Sequence, residues 1–372
     1  MTEAGREVTV ETWRSLHDLT AEWDPLFEAG PDVQSGRAWF AASIEAALPE
    51  GRRALFFAAR VDGTPAALLP MQAGPGRALR SLTTPYTCLY QPLFRPDARP
   101  EQIPRLAAAL GDHIRRWPIT VLEAMDAEWP GLAPFRAGLR RAALVTRTFA
   151  HFGNWHEPVP GSWTAYLEGR PGELRATISR KTRSAGRDPA LRLEMVQAPE
   201  QLPEALAAYE AVYARSWKQK EPYPAFNRAL VARLAESGAL RFGLMWAGDQ
   251  PIAAQYWTVW QGRGTVLKLA HDDKFKPVSP GTVLTAHAIR YLIETDRVTR
   301  LDFGRGDDPY KRGWARHRRQ RIGLVVFNPS MFRGAAELIR HEGGKFLRSA
   351  RLFLRHRRAE QDIRPAAHGD VP

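Results

Sequence analysis

Apolar and polar positions alternate most clearly in the second half of the chain. Leu202, Leu206, Tyr209, Val212, Tyr213 and Trp217 recur at helical spacing and predict a helix over 201–218. A proline-containing break at 221–224 follows, then a second helix over 225–236 that ends near Gly238. Three apolar runs come next, at 240–246, 252–260 and 265–271, joined by short turns rich in glycine. Such connections predict antiparallel strands. Ser279 and Pro280 open another helix, with Val283, Leu284, Ala288, Tyr291 and Leu292 on one face. A strand over 298–303, a turn over 304–309, a short helix over 310–317 and a last strand over 321–327 complete the pattern.

The first half carries a blurred version of this order. Strands are predicted over 8–13, 54–60, 66–71, 119–124 and 144–149, and helices over 16–28, 37–48 and 103–116. The run Asp62-Gly63-Thr64-Pro65-Ala66-Ala67 echoes Asp249-Gln250-Pro251-Ile252-Ala253-Ala254, and both turn between apolar strands. The matching order points to a duplicated unit. The expected organisation is an α/β protein with mixed sheets and two domains, 1–157 and 158–330, joined where Pro158 and Pro160 fall. Residues 170–189 form a helix candidate whose Arg175, Arg180, Lys181 and Arg183 make a basic face. A third segment, 331–372, holds a basic amphipathic helix over 331–358 and a disordered tail.

Length and composition fit this picture. The 372 residues suit two domains, and 44% hydrophobic content fills a sizeable core. A single cysteine, Cys88, excludes a disulfide framework and a cysteine-based metal site, and no other metal-ligand set stands out. No secretory leader and no spanning apolar run are visible, so the expected location is the cytoplasm. The net charge of +13 favours anionic ligands: CoA phosphates, nucleotide sugars, nucleic acid or acidic lipid.

Two stretches concentrate chemistry. In the first, 268–282, a strand is followed by Lys274 and Lys276 and then by a helix start. The amides of Ser279, Gly281 and Thr282 would face a phosphate there, although a capped helix without a ligand is the commoner outcome of such spacing. The second, 302–314, crowds Asp302, Arg305, Asp307, Asp308, Tyr310, Lys311 and Arg312 around two glycines at a strand exit. Asp308 can take a proton, Tyr310 can protonate a leaving group, and Lys311 or Arg305 can stabilise an oxyanion. A charged turn whose acids and bases pair with each other is an equal alternative.

The block from Lys268-Leu269-Ala270-His271-Asp272 through Ser279-Pro280-Gly281 to Asp302-Phe303-Gly304-Arg305-Gly306-Asp307-Asp308-Pro309-Tyr310-Lys311 resembles GNAT-like acetyltransferases of the CelD type, found in cellulose and exopolysaccharide loci. These are relatives of the Fem aminoacyltransferases of peptidoglycan synthesis. The resemblance implies tandem GNAT-like acyl-CoA N-acyltransferase domains, with the donor pocket in the second. It implies a pantetheine arm against the backbone of Leu269 and Ala270, and a pyrophosphate at Ser279, Gly281 and Thr282 beside Lys276. It also implies Lys311 near the reacting carbonyl. The usual Arg/Gln-x-x-Gly-x-Gly loop is replaced here by Lys276-Pro277-Val278-Ser279-Pro280-Gly281, with fewer glycines.

The expected reaction is transfer of an acetyl or other acyl group from acyl-CoA to an amine. The acceptor would be a small molecule or a nucleotide- or lipid-linked amine such as an amino sugar precursor. His271, Asp272, Arg305, Trp217 and Glu221 are the acceptor-side candidates. One alternative is a Fem-like transferase with aminoacyl-tRNA as donor. No inserted helical hairpin of the kind those relatives often carry is evident, which favours acyl-CoA over tRNA. Another alternative is a non-catalytic protein that binds anions, RNA or membrane. For 331–358, contact with acidic lipid at the inner membrane face competes with packing against the domain, and the Gly343-Gly344 pair favours packing.

Overall fold

The apolar runs of both halves become strands of one sheet. The computed structural model describes residues 7–75 and 78–343. In chain order the strands are β1 (Val8–Trp13), β2 (Arg53–Val61), β3 (Thr64–Ala73), β4 (Ala78–Ser81), β5 (Leu93–Phe94), β6 (Ile119–Asp126), β7 (Val145–Pro158), β8 (Leu191–Val196), β9 (Leu240–Ala247), β10 (Gln250–Trp260), β11 (Arg263–His271), β12 (Arg300–Arg305) and β13 (His317–Phe327). Their spatial order is β1-β2-β3-β4-β6-β13-β7-β12-β11-β10-β9-β8, with β5 paired to β3. The β2–β3 and β10–β11 hairpins turn through Asp62-Gly63 and Gln261-Gly262, all four residues at positive φ. That conformation matches the twist of the flanking strands, and glycine adopts it without steric cost.

The last strand does not stay with the second half. β13 inserts between β6 and β7, antiparallel to both, and β7 continues to Pro158 to pair with β12. The two halves therefore share backbone hydrogen bonds as well as a core. Helix Arg37–Ala46 of the first half packs on helix Pro224–Glu236 of the second. Trp39 meets Phe226 edge-on at 5.4 Å between ring centres. The cluster around them runs from Trp23 and Phe40 to Tyr209, Phe242 and Tyr256, all buried.

A buried ionic node crosses the junction. Arg319 on β13 bonds Asp302 on β12 at 2.8 Å and Asn154 on β7 at 2.6 Å. Arg321 pairs with Asp126 on β6 at 2.6 Å. Burial alone would raise the Asp302 pKa, but the Arg319, Arg321 and Arg263 charges and the Asn154 bond hold it below the usual carboxylate range. A second pair, Arg170 and Glu157, is buried at 2.5 Å beside Arg316.

Some expected elements change shape. The helix expected over 16–28 is three short pieces, Leu16–Asp18, Ala21–Trp23 and Asp24–Glu28, the last with Pro25 in its first turn. Ser279 precedes helix Pro280–Glu294 but does not cap it with its hydroxyl. Its backbone is left-handed (φ 53°, ψ 52°), and its amide instead closes the preceding turn onto the Lys276 carbonyl at 3.0 Å.

Among the described residues no helix is long and apolar enough to cross a membrane, and no His/Cys/Asp/Glu cluster could hold a metal ion. Of the predicted basic helix 331–358, residues 332–343 are helical. Met331 precedes the helix in a bend, and residues 344–358 and the expected tail lie outside the described residues.

Candidate functional site: a wedge between two strands

β11 and β12 run parallel but pair only at Arg263↔Arg300, Gly264↔Leu301 and Thr265↔Asp302. Beyond those pairs they part. The cause sits at Gly304, where the register of β12 against β7 also slips. Asp302 Oδ1 accepts the Gly304 amide at 2.9 Å, and Asn154 donates to both Asp302 and the Gly304 carbonyl. Gly304 has φ +68°, and a Cβ there would meet the Val266 carbonyl at 3.2 Å. A side chain would therefore crowd the opening, which the ionic node shapes from below.

The wedge holds a cleft of about 210 Å³. Val266, Lys268 and Leu269 line it from β11, and Phe303, Gly304 and Arg305 from β12. The loop after β12 adds Asp308, Tyr310 and Lys311, while Tyr86, Cys88 and Lys218 close the far side. A larger cavity of about 370 Å³ lies in the first half between Asp62 and Arg105. None of these cleft residues lines it.

Five residues proposed from sequence thus meet in the cleft: Leu269, Arg305, Asp308, Tyr310 and Lys311. Lys311 is buried. Its Nζ donates to the carbonyls of Arg305 at 2.5 Å and Gly306 at 3.3 Å, and pairs with Asp308 at 3.0 Å. All three ammonium protons are engaged, so Lys311 holds the loop and supplies fixed positive charge at the cleft. Tyr310 is 41% exposed at the rim. Asp302 and Asp307 bond elsewhere, Asp302 as above and Asp307 with Arg318 and the Trp155 indole. Their arginine partners lie outside the 302–314 stretch, whereas Asp308 and Lys311 pair within it.

The remaining candidates gather at the helix tip or turn inward. Ala270 is buried next along β11. Ser279, Gly281 and Thr282 form the half-buried first turn of helix Pro280–Glu294. The His271 ring lies over Gly281, close enough that a Cβ there would stand 2.8 Å from it. Burial holds the His271 pKa below its ordinary value. Trp217 packs on His271 with ring centres 4.5 Å apart. Lys276 is exposed and pairs with Asp273. Asp272 is buried and accepts from Arg215 at 2.7 Å and from the Lys274 amide at 3.0 Å, so its role here is to fix this turn.

Sequence reasoning named Glu221 on the far wall but missed Lys218, Lys268 and Tyr86. Glu221 is shared between Lys268 at 2.5 Å and the Tyr86 hydroxyl at 2.7 Å, and Lys268 Nζ sits 3.9 Å above the Tyr86 ring. Burial would raise the Glu221 pKa, but the Lys268 bond and charge and the Tyr86 bond keep it low. Beside them, Lys218 is half-buried. Burial first, then the Lys268 charge, lowers its pKa to about 8. The sequence offered one hint, since Lys218 lies between the two chosen residues Trp217 and Glu221. Cys88 is buried and its thiol is pushed up to about 11, which leaves it unreactive.

Residues 172–312 match the family model described as an acetyltransferase (GNAT) domain. This segment is similar to a GNAT acetyltransferase domain. No curated protein matches the chain. Among solved structures it is similar to FemX, with a TM-score of 0.60 and 12% identity over 86% of this chain and 98% of that one. It is also similar to a tandem GNAT protein from the clavulanic acid biosynthesis pathway, with a TM-score of 0.50 and 13% identity over 86% and 98%. A conserved protein of unknown function from Bacteroides thetaiotaomicron VPI-5482 has a TM-score of 0.51 at 10% identity over 82% and 91%. At these identities the likeness is one of fold, and the fold is a tandem GNAT-like α/β architecture. Within this fold β11 and β12 are the two strands that part, and the cleft lies between them.

Proposed function

We propose that the chain is an N-acyltransferase that moves an acyl group from acyl-CoA to an amine held in the β11–β12 wedge. The observation that carries this is Lys218. An amine with a pKa near 8, facing the point where the strands part, is a base matched to an ammonium acceptor. Lys218 takes one proton from the acceptor ammonium. The freed amine attacks the thioester carbonyl, and its carbon–sulfur bond breaks as the amide forms. Tyr310 or protonated Lys218 returns a proton to the leaving thiolate, and one proton is released overall. The Lys311 charge, fixed at the cleft by its three acceptors, favours the oxyanion. Holding both substrates in one cleft supplies much of the acceleration. The CelD-type resemblance adds the acceptor class, an amino sugar or another precursor of the cell envelope.

One observation favours a second reading. The His271 ring covers Gly281, where a diphosphate would meet the helix amides. An aminoacyl-tRNA donor brings no diphosphate to that point and leaves the ring in place. Thermal unfolding separates the two. Acetyl-CoA at micromolar concentration is expected to raise the midpoint by several degrees, because a ligand that binds only the folded state stabilises it. A rise with aminoacyl-tRNA and none with acetyl-CoA would reverse the choice of donor.

A further inference from the structure

The cleft carries more positive charge than the acids around it match. Of the cations that line it, Lys268 pairs with Glu221 at 2.5 Å and Lys311 with Asp308 at 3.0 Å. Among the described residues, Lys218 and Arg305 form no such pair. Lys218 is neutral when it acts as the base, whereas a guanidinium keeps its charge at any working pH. An ammonium acceptor with no negative charge of its own would enter against Arg305 with nothing to offset the repulsion.

The surroundings of Arg305 narrow the chemistry further. Its guanidinium carbon lies 4.3 Å from the centre of the Phe152 ring, and its Nη2 stands 3.4 Å from His151 Nε2. His151 Nδ1 accepts the Ala124 amide at 3.0 Å, so the proton of the neutral imidazole sits on Nε2. Burial first, then the Arg305 charge, holds the His151 pKa below its ordinary value against the pull of Glu123, which favours the neutral ring. Glu123 itself pairs with Arg80 at 3.5 Å. Two N–H donors therefore face each other, one from a charged fork and one from a neutral ring. Among the described residues no protein oxygen accepts from either side chain. An oxyanion can accept from both at once.

We propose that the acceptor amine carries an anionic group, a phosphate or a carboxylate, and that Arg305 and His151 receive it at the edge of the cleft. The inference rests on the reading of the wedge as a site of transfer to an amine, and narrows the acceptor to amines that bring their own negative charge. A phosphorylated or carboxylated amino sugar has that chemistry.

Three amines built on one sugar provide the test: glucosamine 6-phosphate, muramic acid and glucosamine. Each is titrated into the full chain by calorimetry, and each is then supplied with acetyl-CoA while released thiol is followed. At least one anionic sugar is expected to bind about tenfold more tightly than glucosamine, because the neutral sugar lacks the charge-assisted bonds. Which of the two binds separates phosphate from carboxylate. Arg305→Gln is expected to erase the preference. Arg305 is exposed and holds Lys311 through its carbonyl, so the variant should unfold at the midpoint of the parent. Equal binding of the three sugars, binding of none, or a preference that survives Arg305→Gln overturns the inference. Anion-selective binding that depends on Arg305 but releases no thiol upholds the anion site and counts against transfer from acetyl-CoA instead.

Discussion

Lys218→Met is expected to lower turnover about 100-fold, within the usual range for loss of a general base. The expectation rests on the environment of the amine. Burial and the neighbouring Lys268 and Lys311 charges disfavour its protonated form, against the pull of Glu221 and Asp308. The sign of the pH dependence follows. Below about 8 Lys218 is mostly protonated and cannot accept a proton. The parent rate should therefore climb roughly tenfold between about pH 7 and pH 9 as the neutral amine fills in. In the variant that rise disappears, and whatever slope persists belongs to the acceptor amine. Methionine is one atom shorter but keeps the unbranched shape of the side chain, so the Michaelis constant should change little. An unchanged pH profile at full rate in Lys218→Met would remove this residue from the mechanism.

Arg319→Met is expected to destabilise the fold by about 3–5 kcal/mol, the cost of leaving a buried charge without its partner. Asp302 is buried, and Arg319 is its direct ion-pair partner at 2.8 Å. Arg321 is engaged with Asp126 and cannot replace it in place. Urea unfolding measures the loss. The companion Asp302→Asn/Arg319→Met should recover part of it, because the unpaired charge is gone. The same node holds the bend at Gly304, so both variants should also lose activity through the shape of the wedge. A loss of less than about 1 kcal/mol in Arg319→Met would mean that the node contributes little.

What could be read in advance follows from what each signal depends on. β9, β10 and β11 announced themselves because apolar runs and tight turns are local features, and the Gln261-Gly262 turn is written in two residues. The long β7 was expected to stop at 149. Its second half is instead buried through polar residues, Asn154 and Glu157, whose partners Asp302 and Arg316 lie far along the chain. Hydrophobic periodicity cannot see burial of that kind. The insertion of β13 between β6 and β7 is hidden for the same reason, since its first residues, His317, Arg318 and Arg319, read as polar.

The site divides likewise. The residues after β12 are contiguous in sequence, so Arg305, Asp308, Tyr310 and Lys311 could be named together. Lys218, Lys268 and Tyr86 come from three separate segments. The depressed pKa of Lys218 exists only once Lys268 is brought beside it and both are buried. The engagement of Lys311 by three acceptors is also invisible in a linear motif. It shifts that residue from a free donor to a fixed charge that organises its loop.

Hydrogen–deuterium exchange with and without saturating acetyl-CoA tests the central claim most directly. The account predicts slowed exchange at backbone amides of 266–271 and 303–311, the two sides of the wedge, with little change elsewhere. Unchanged exchange in both segments, or protection centred on the cavity between Asp62 and Arg105, would contradict it.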